Sequence, residues 1–445
     1  METKNQKQKS QSITFKGIII VVLSLLLLIP NLMIQSLITE RQERSKETIT
    51  KINSKWSNSQ TILGPVLTIP YMAKTTDKDN KEIIERRLLN ISPELLQANV
   101  KLNPEIRHYG IYKSILYRSD IHFSGNFSKA TIDKMKDLNL NWENAYVSLG
   151  LSDLKGVTQK IDFKIDNSIC NAEASEDSTE TFKGKRLVFK PKAILNESNL
   201  NFSCNLSLNG STELNFIPMG KITKVQIEGD WKSPGFVGMF SPQYSISGNG
   251  FKAEWNVMHF NRNIPEMWNN KTLESVDETA FGVNLVDTVD HYQQNMRSAK
   301  YALMFIALTF VVFFFVEVLT GKRIHPIQYL LVGIALVLFY SLLLSISEQM
   351  NFGLAYLLAS VAIIGLISSY AYSVFKNKSQ TAILSGVLIL LYLFLYFILQ
   401  LEDIALLVGS IGLFIILGII MYLSRKINWY KKEELIEDNQ VNEEN

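Results

Sequence analysis

Few residues in this chain are of a type and spacing that do chemistry. Its five histidines, His108, His122, His259, His291 and His325, are widely scattered. Asp120 and His122 stand two apart, which puts them on one face of a strand, as two metal ligands would need. No third ligand lies close in sequence, so the pair reads first as an ordinary polar strand face. The chain has no Gly-x-Ser-x-Gly elbow, no His-Glu-x-x-His helix, no phosphate-binding Gly-Lys-Ser/Thr loop and no Cys-x-x-Cys pair. A protein without catalytic function and without a cofactor is therefore expected, with no metal site.

Three further constellations stand out. Cys170 and Cys204 are the two cysteines. They form a candidate disulfide if they face an oxidising compartment, and otherwise two unrelated buried thiols. Glu317 lies near the end of an apolar segment, close to Lys322, Arg323, His325 and Pro326. As a functional cluster this turn would relay protons or ions. As a structural one, Glu317 would pair with Lys322 or Arg323 and lock a helical hairpin. The structural reading is preferred, because a transport path needs polar groups at mid-depth and the spans offer mostly Ser341 and Ser345. Trp231, Pro234 and Phe236 mark a candidate binding loop, since rings give contact area at low entropic cost. Its alternative is a turn that closes the core.

The elements that hold these residues follow from hydropathy. Apolar segments at 17–37, 301–320, 326–347, 352–375, 381–401 and 404–423 are long enough to cross a bilayer as helices. The basic residues of the short connections fall on one side: Lys4, Lys7, Lys9 and Lys16, then Lys322 and Arg323, Lys376 and Lys378, and Arg425 onward. Glu348, Glu402 and Asp403 occupy the other side. Cationic loops stay cytoplasmic, so both termini are expected inside and residues 38–299 outside. The first span has no small-x-small cleavage site after it and reads as an uncleaved anchor. The expected domains are a basic arm (1–16), a first helix (17–37), an extracytoplasmic domain (38–299), a five-helix bundle (300–423) and a cytoplasmic tail (424–445).

Within 38–299 the apolar period changes to two. Strands are expected at 111–123, 145–151, 187–189, 203–208, 212–217 and 222–228, with Asn209-Gly210 as a hairpin turn. One helix is expected at 130–138 and an exposed loop over 166–185. Two helical stalks, 39–56 and a stripe of Val286, Val289 and Met296, flank the domain. The fold class is thus a multi-pass α-helical membrane protein with a large β-rich, sandwich-like domain inserted between its first and second spans. A net charge of only +3 excludes nucleic acid as a partner. Nothing in the sequence fixes an oligomeric state.

Several motifs occur in order. They include Leu28-Ile29-Pro30, Gly64-Pro65-Val66-Leu67-Thr68-Ile69-Pro70-Tyr71, Glu105-Ile106-Arg107-His108-Tyr109-Gly110 and Phe216-Ile217-Pro218-Met219-Gly220. Trp231-Lys232-Ser233-Pro234-Gly235-Phe236, Val289-Asp290-His291-Tyr292 and Arg323-Ile324-His325-Pro326-Ile327-Gln328-Tyr329 follow. Together they resemble the CreD family of bacterial inner-membrane proteins over nearly the whole chain. The resemblance implies a role in cell-envelope integrity or envelope stress, linked to a sensor kinase and its response regulator. It implies no agreed biochemical activity and carries no catalytic residues over.

The leading expectation is non-catalytic binding of an envelope protein or cell-wall component by the external domain, with the lipid bilayer as the other partner. The alternative is a transporter or flippase built on the bundle.

Overall fold

The structure, a computed structural model, describes residues 13–76, 82–135, 137–166, 168–175, 182, 184–191, 199–248, 250–269, 273, 276–286, 290–320, 324–401 and 404–425. It divides into two compact units. One combines Met1–Arg44 with Val289–Asn445, and the other is Ser45–Thr288.

The first unit is helical. It contains α1 (Ile13–Leu26) and most of α2 (Leu28–Trp56); the unit boundary falls within α2. The β unit contributes the short helix α3 (Lys129–Asp133). The chain returns to the helical unit with α4 (His291–Lys300), α5 (Ala302–Thr320), α6 (Pro326–Ser347), α7 (Phe352–Phe375), α8 (Lys378–Gln400) and α9 (Ala405–Ser424). By length and hydropathy, four described helical stretches can cross a bilayer: Lys16–Trp56, α6, α7 and α8. The pair α4–α5, bent by 44°, makes a fifth, and α9 adds a further apolar helix.

Local chemistry sets the helix ends. Asn351 and Asn377 cap α7 and α8 by accepting from Leu354 N–H and Ser379 N–H at 2.9 Å each. The second stalk is helical only from His291, because Asp290 caps it through Tyr292 N–H and Gln293 N–H. Val286 follows a strand instead, and Val289 lies outside the described residues. The core of this unit is aromatic, with Phe339 4.8 Å from Tyr392 and 5.5 Å from Tyr356. Gly333 of α6 lets Leu27, at the α1–α2 break, lie against the helix: a Cβ at Gly333 would meet Leu27 Cδ1 at 2.1 Å.

The second unit is a β-sandwich. Its strands are β1 (Gln60–Thr76), β2 (Glu82–Ile91), β3 (Leu95–Tyr109), β4 (Tyr112–Phe127), β5 (Tyr146–Leu151), β6 (Asp162–Ile165), β7 (Ser168–Ser175) and β8 (Lys185–Phe189). These are followed by β9 (Leu200–Ser211), β10 (Glu213–Ile217), β11 (Ile222–Gly229), β12 (Pro234–Gly238), β13 (Gln243–Ser247), β14 (Gly250–Met258), β15 (Met267–Trp268) and β16 (Phe281–Leu285). One layer runs β12-β16-β10-β1-β5-β8, with β2 beside β1 and β15 beside β2; the other runs β6-β9-β4-β3-β11-β14-β13. Strand β7 belongs to both, pairing through Ser168–Asn171 with β6 and through Ala172–Ser175 with β8. Period-two alternation buries Leu96, Ala98, Val100 and Leu102 of β3 and exposes or half-exposes the residues between them. The layers meet face to face at Phe123–Phe216 (6.3 Å), Phe163–Phe189 (4.6 Å) and Trp255–Phe281 (5.5 Å).

Three local expectations need correction. The helix expected at 130–138 is only Lys129–Asp133. The expected loop 166–185 contains β7, because Asp166 adopts φ 49° and turns the chain back on β6. Asn209-Gly210 is no hairpin turn: both residues lie within β9, registered against Arg118 and Tyr117. Gly210 is needed there because a Cβ would meet Tyr117 Oη at 2.2 Å. The chain bends two residues later, at Thr212 (φ 61°), and crosses from one layer to the other.

Candidate functional sites: a carboxylate cage and a polar trough

Glu317 of α5 is buried, with 5% of its surface exposed. Its Oε1 accepts from Lys16 Nζ and, at 3.1 Å, from Ile324 N–H; its Oε2 accepts from Tyr329 OH at 3.0 Å. Lys322 and Arg323, the expected partners, lie outside the described residues. The partner cation in the described part of the chain is Lys16 of α1. His325 and Pro326 build the start of α6: His325 Nδ1 accepts from Ile327 N–H at 3.3 Å, Gln328 Oε1 accepts from His325 N–H at 3.0 Å, and Pro326 fills the first helical position. The Ile-His-Pro-x-Gln-Tyr run is thus a helix start that aims Ile324 N–H and Tyr329 OH at one carboxylate. Sequence reasoning missed Lys16 as a partner because its charge was fully accounted for by membrane orientation. A second polar group in the same unit surrounds Glu348, which accepts from Tyr292 OH at 3.2 Å and lies 3.9 Å from Arg41.

The candidate disulfide is not formed. Cys170 and Cys204 are free and buried. Both are registered against Phe163, one on each side of β6. Two strand spacings put their Cα atoms about 9–10 Å apart, beyond the reach of an S–S bond. Burial pushes both thiols up, Cys204 to about 12 with help from Asp162. In the candidate loop, Pro234 and Phe236 lie on β12, an edge strand beside β16. Phe236 packs 4.7 Å from Tyr244 and 6.0 Å from Trp255, while Trp231 Nε1 donates to Val286 O at 3.2 Å. The rings are half-buried within the fold.

The outward face of the second layer is polar and hollow. It holds three depressions of about 290, 540 and 520 Å³. The first adjoins the second through Lys101 and Glu228, and the third through Asn99 and Gln226. Strand register arranges the side chains in rows across six strands. One row is Asn205, His122, Asn99, Gln226, Glu254 and Gln243. Beside it runs Ser207, Asp120, Lys101, Glu228, Lys252 and Ser245, whose central charges alternate in sign. His122 Nδ1 lies 2.7 Å from Asn205 Oδ1, and Ser207 Oγ donates to Asp120 Oδ1 at 2.7 Å. Asp120 and His122 therefore bond to separate partners on β9, and the described residues include no cluster of three metal-ligating side chains. The side-chain amides of Asn99 and Gln226 make no protein hydrogen bond among the described residues. The sequence signal for this face was the polar half of each alternating strand, which carries no information about which strands lie side by side.

Comparison with known proteins bears on both units. The chain is 31% identical over 415 residues to inner membrane protein CreD of Escherichia coli K12, covering 91% of each chain. The crystal structure of an M1 zinc metallopeptidase from Deinococcus radiodurans aligns over 37% of this chain and 38% of its own, at 5% identity and a TM-score of 0.18, a likeness too slight to argue from. The family described as inner membrane protein CreD matches residues 12–430. That match and the relative's identity over most of both chains show that the chain belongs to the CreD family of inner membrane proteins.

Proposed function

We propose that this protein supports cell-envelope integrity by binding an envelope component through its β unit, without catalysis. The one-sided Lys and Arg pattern of the short connections supports a topology with both termini in the cytoplasm and the β unit on the far side of the membrane. The observation that carries the binding role is the hollow polar face of the second layer, where Asn99 and Gln226 hold unused donors and acceptors. Polar groups converging on a concave surface are the ordinary mark of a binding site. The apolar helices hold the protein in the bilayer. Glu317 has no free part in a transport path on this reading, since it is already held by Lys16, Tyr329 and Ile324.

Two measurements test this. A phosphatase reporter inserted near residue 180 should be active only outside the cytoplasm; activity of a cytosolic reporter at the same position would overturn the topology. A photo-crosslinking residue at Gln226 in living cells should capture one defined envelope component. Capture of bulk lipid alone would end the binding role.

A further inference from the structure

Resting on the reading that the β unit binds an envelope component, we propose the chemical class of the ligand: an uncharged, polyhydroxylated glycan strand. It lies across the strands along the row Asn205, His122, Asn99, Gln226, Glu254 and Gln243.

Charge is the first argument. Around the trough four carboxylates, Asp120, Glu228, Asp230 and Glu254, are interleaved with three ammonium groups, Lys101, Lys224 and Lys252. Lys101 is registered between Asp120 and Glu228, and Glu228 between Lys101 and Lys252. The side chains leave one net negative charge spread over three depressions, so a polyanion meets no attractive field and a polycation only a weak one. A neutral ligand meets no opposing one.

Hydrogen-bonding capacity is the second. A carboxamide both donates and accepts, as a sugar hydroxyl does. Asn99 and Gln226 sit side by side in register at the middle of the row and spend neither capacity on the protein. No apolar side chain interrupts the row.

Spacing is the third. Register places one polar side chain on each successive strand, about 4.8 Å apart, so the row of six is about 24 Å long. That step is close to the length of one pyranose in an extended β-linked chain. An extended peptide presents same-side groups every two residues, about 6.6–6.8 Å, and falls out of step with the row. A peptide's usual mode on a sheet is to add at an edge, not to cross the face.

The row has no aromatic platform, so affinity accumulates sugar by sugar through hydrogen bonds. Binding should therefore be weak for short sugars and rise steeply with length.

The test uses the intact protein, purified in a detergent without a sugar headgroup, and titrates it with β-1,4-linked N-acetylglucosamine hexamer and dimer. The hexamer should bind at least about tenfold more tightly than the dimer. The double substitution Asn99→Ala with Gln226→Ala should weaken the hexamer about tenfold while leaving the melting temperature unchanged, since both side chains point outward. Absence of hexamer binding, or equal binding by the double variant, would overturn the glycan assignment. The in-cell crosslink at Gln226 separates this failure from that of the binding role. Captured wall glycan supports both. A captured envelope protein overturns the glycan and leaves the binding role standing. Lipid alone overturns both.

Discussion

At the scale of single residues, Glu317 shows how a charge is kept inside a helical bundle. Its two carboxylate oxygens are met by an ammonium, a phenol and a backbone N–H. A buried carboxylate is tolerated only when its acceptors are filled in this way. Glu317→Gln and Lys16→Met should each lower the melting temperature of the purified protein. The two together should cost less than their sum, with a coupling of about 0.5–3 kcal/mol in a double-mutant cycle; strict additivity would show that the pair does not interact. The special character of Glu317 was readable from its isolation in an apolar run. Its partner was not, because Lys16 is some 300 positions away and only the folded contact of α1 with α5 joins them. The two cysteines teach the same lesson from the other side. Their types suggested a bond, and an intervening Phe163 forbids it.

At the scale of elements, the start of α6 was readable from hydropathy alone, and His325, Pro326 and Gln328, close in sequence, fix it locally. Strands were readable where one face is buried, as in β4 and β11. The Asn209-Gly210 pair misled because the same dipeptide serves a hairpin or a close approach, and the choice depends on Tyr117. One long-range anchor had no sequence signal. Arg262 is buried and donates to the carbonyls of Met219 and Gly220 at 2.9 Å each and to Ile264 O. Burial pulls its guanidinium down to about 10, against the opposing pull of Glu266. It thereby fixes the turn after β10, in the Phe216-Ile217-Pro218-Met219-Gly220 motif. Arg262→Met should leave these carbonyls unpaired and destabilise the β unit by about 3 kcal/mol in denaturant titration. An unchanged midpoint would mean that the turn holds itself.

At the scale of the whole molecule, the arrangement of apolar helices around a β-rich insertion was plain in the hydropathy, since bilayer thickness and strand alternation impose different periods. The order of strands in the sandwich was not, because pairing joins residues far apart in sequence. The thiols of the β unit make a pH prediction. Cys204 has an ordinary value of 9.0 and a folded value near 12, and burial raises Cys170 and Tyr117 in the same direction. Below about 9 both folded and unfolded states keep the proton, and the favourable contribution of the neutral buried thiol is fully present. Between about 9 and 12 the unfolded chain releases it first, so stability falls as pH rises. Chemical denaturation of the β unit across that range should show a falling midpoint; a flat profile would mean that the thiols are not sequestered.

Strand β7 gives its first half to one layer and its second half to the other. The two layers are therefore spliced by continuous backbone, as well as pressed together by side chains. A pulling force on the sandwich would have to tear that strand from both neighbours before the layers could separate. In a single-molecule stretching trace the unit should yield in one abrupt rupture, with no plateau at half extension.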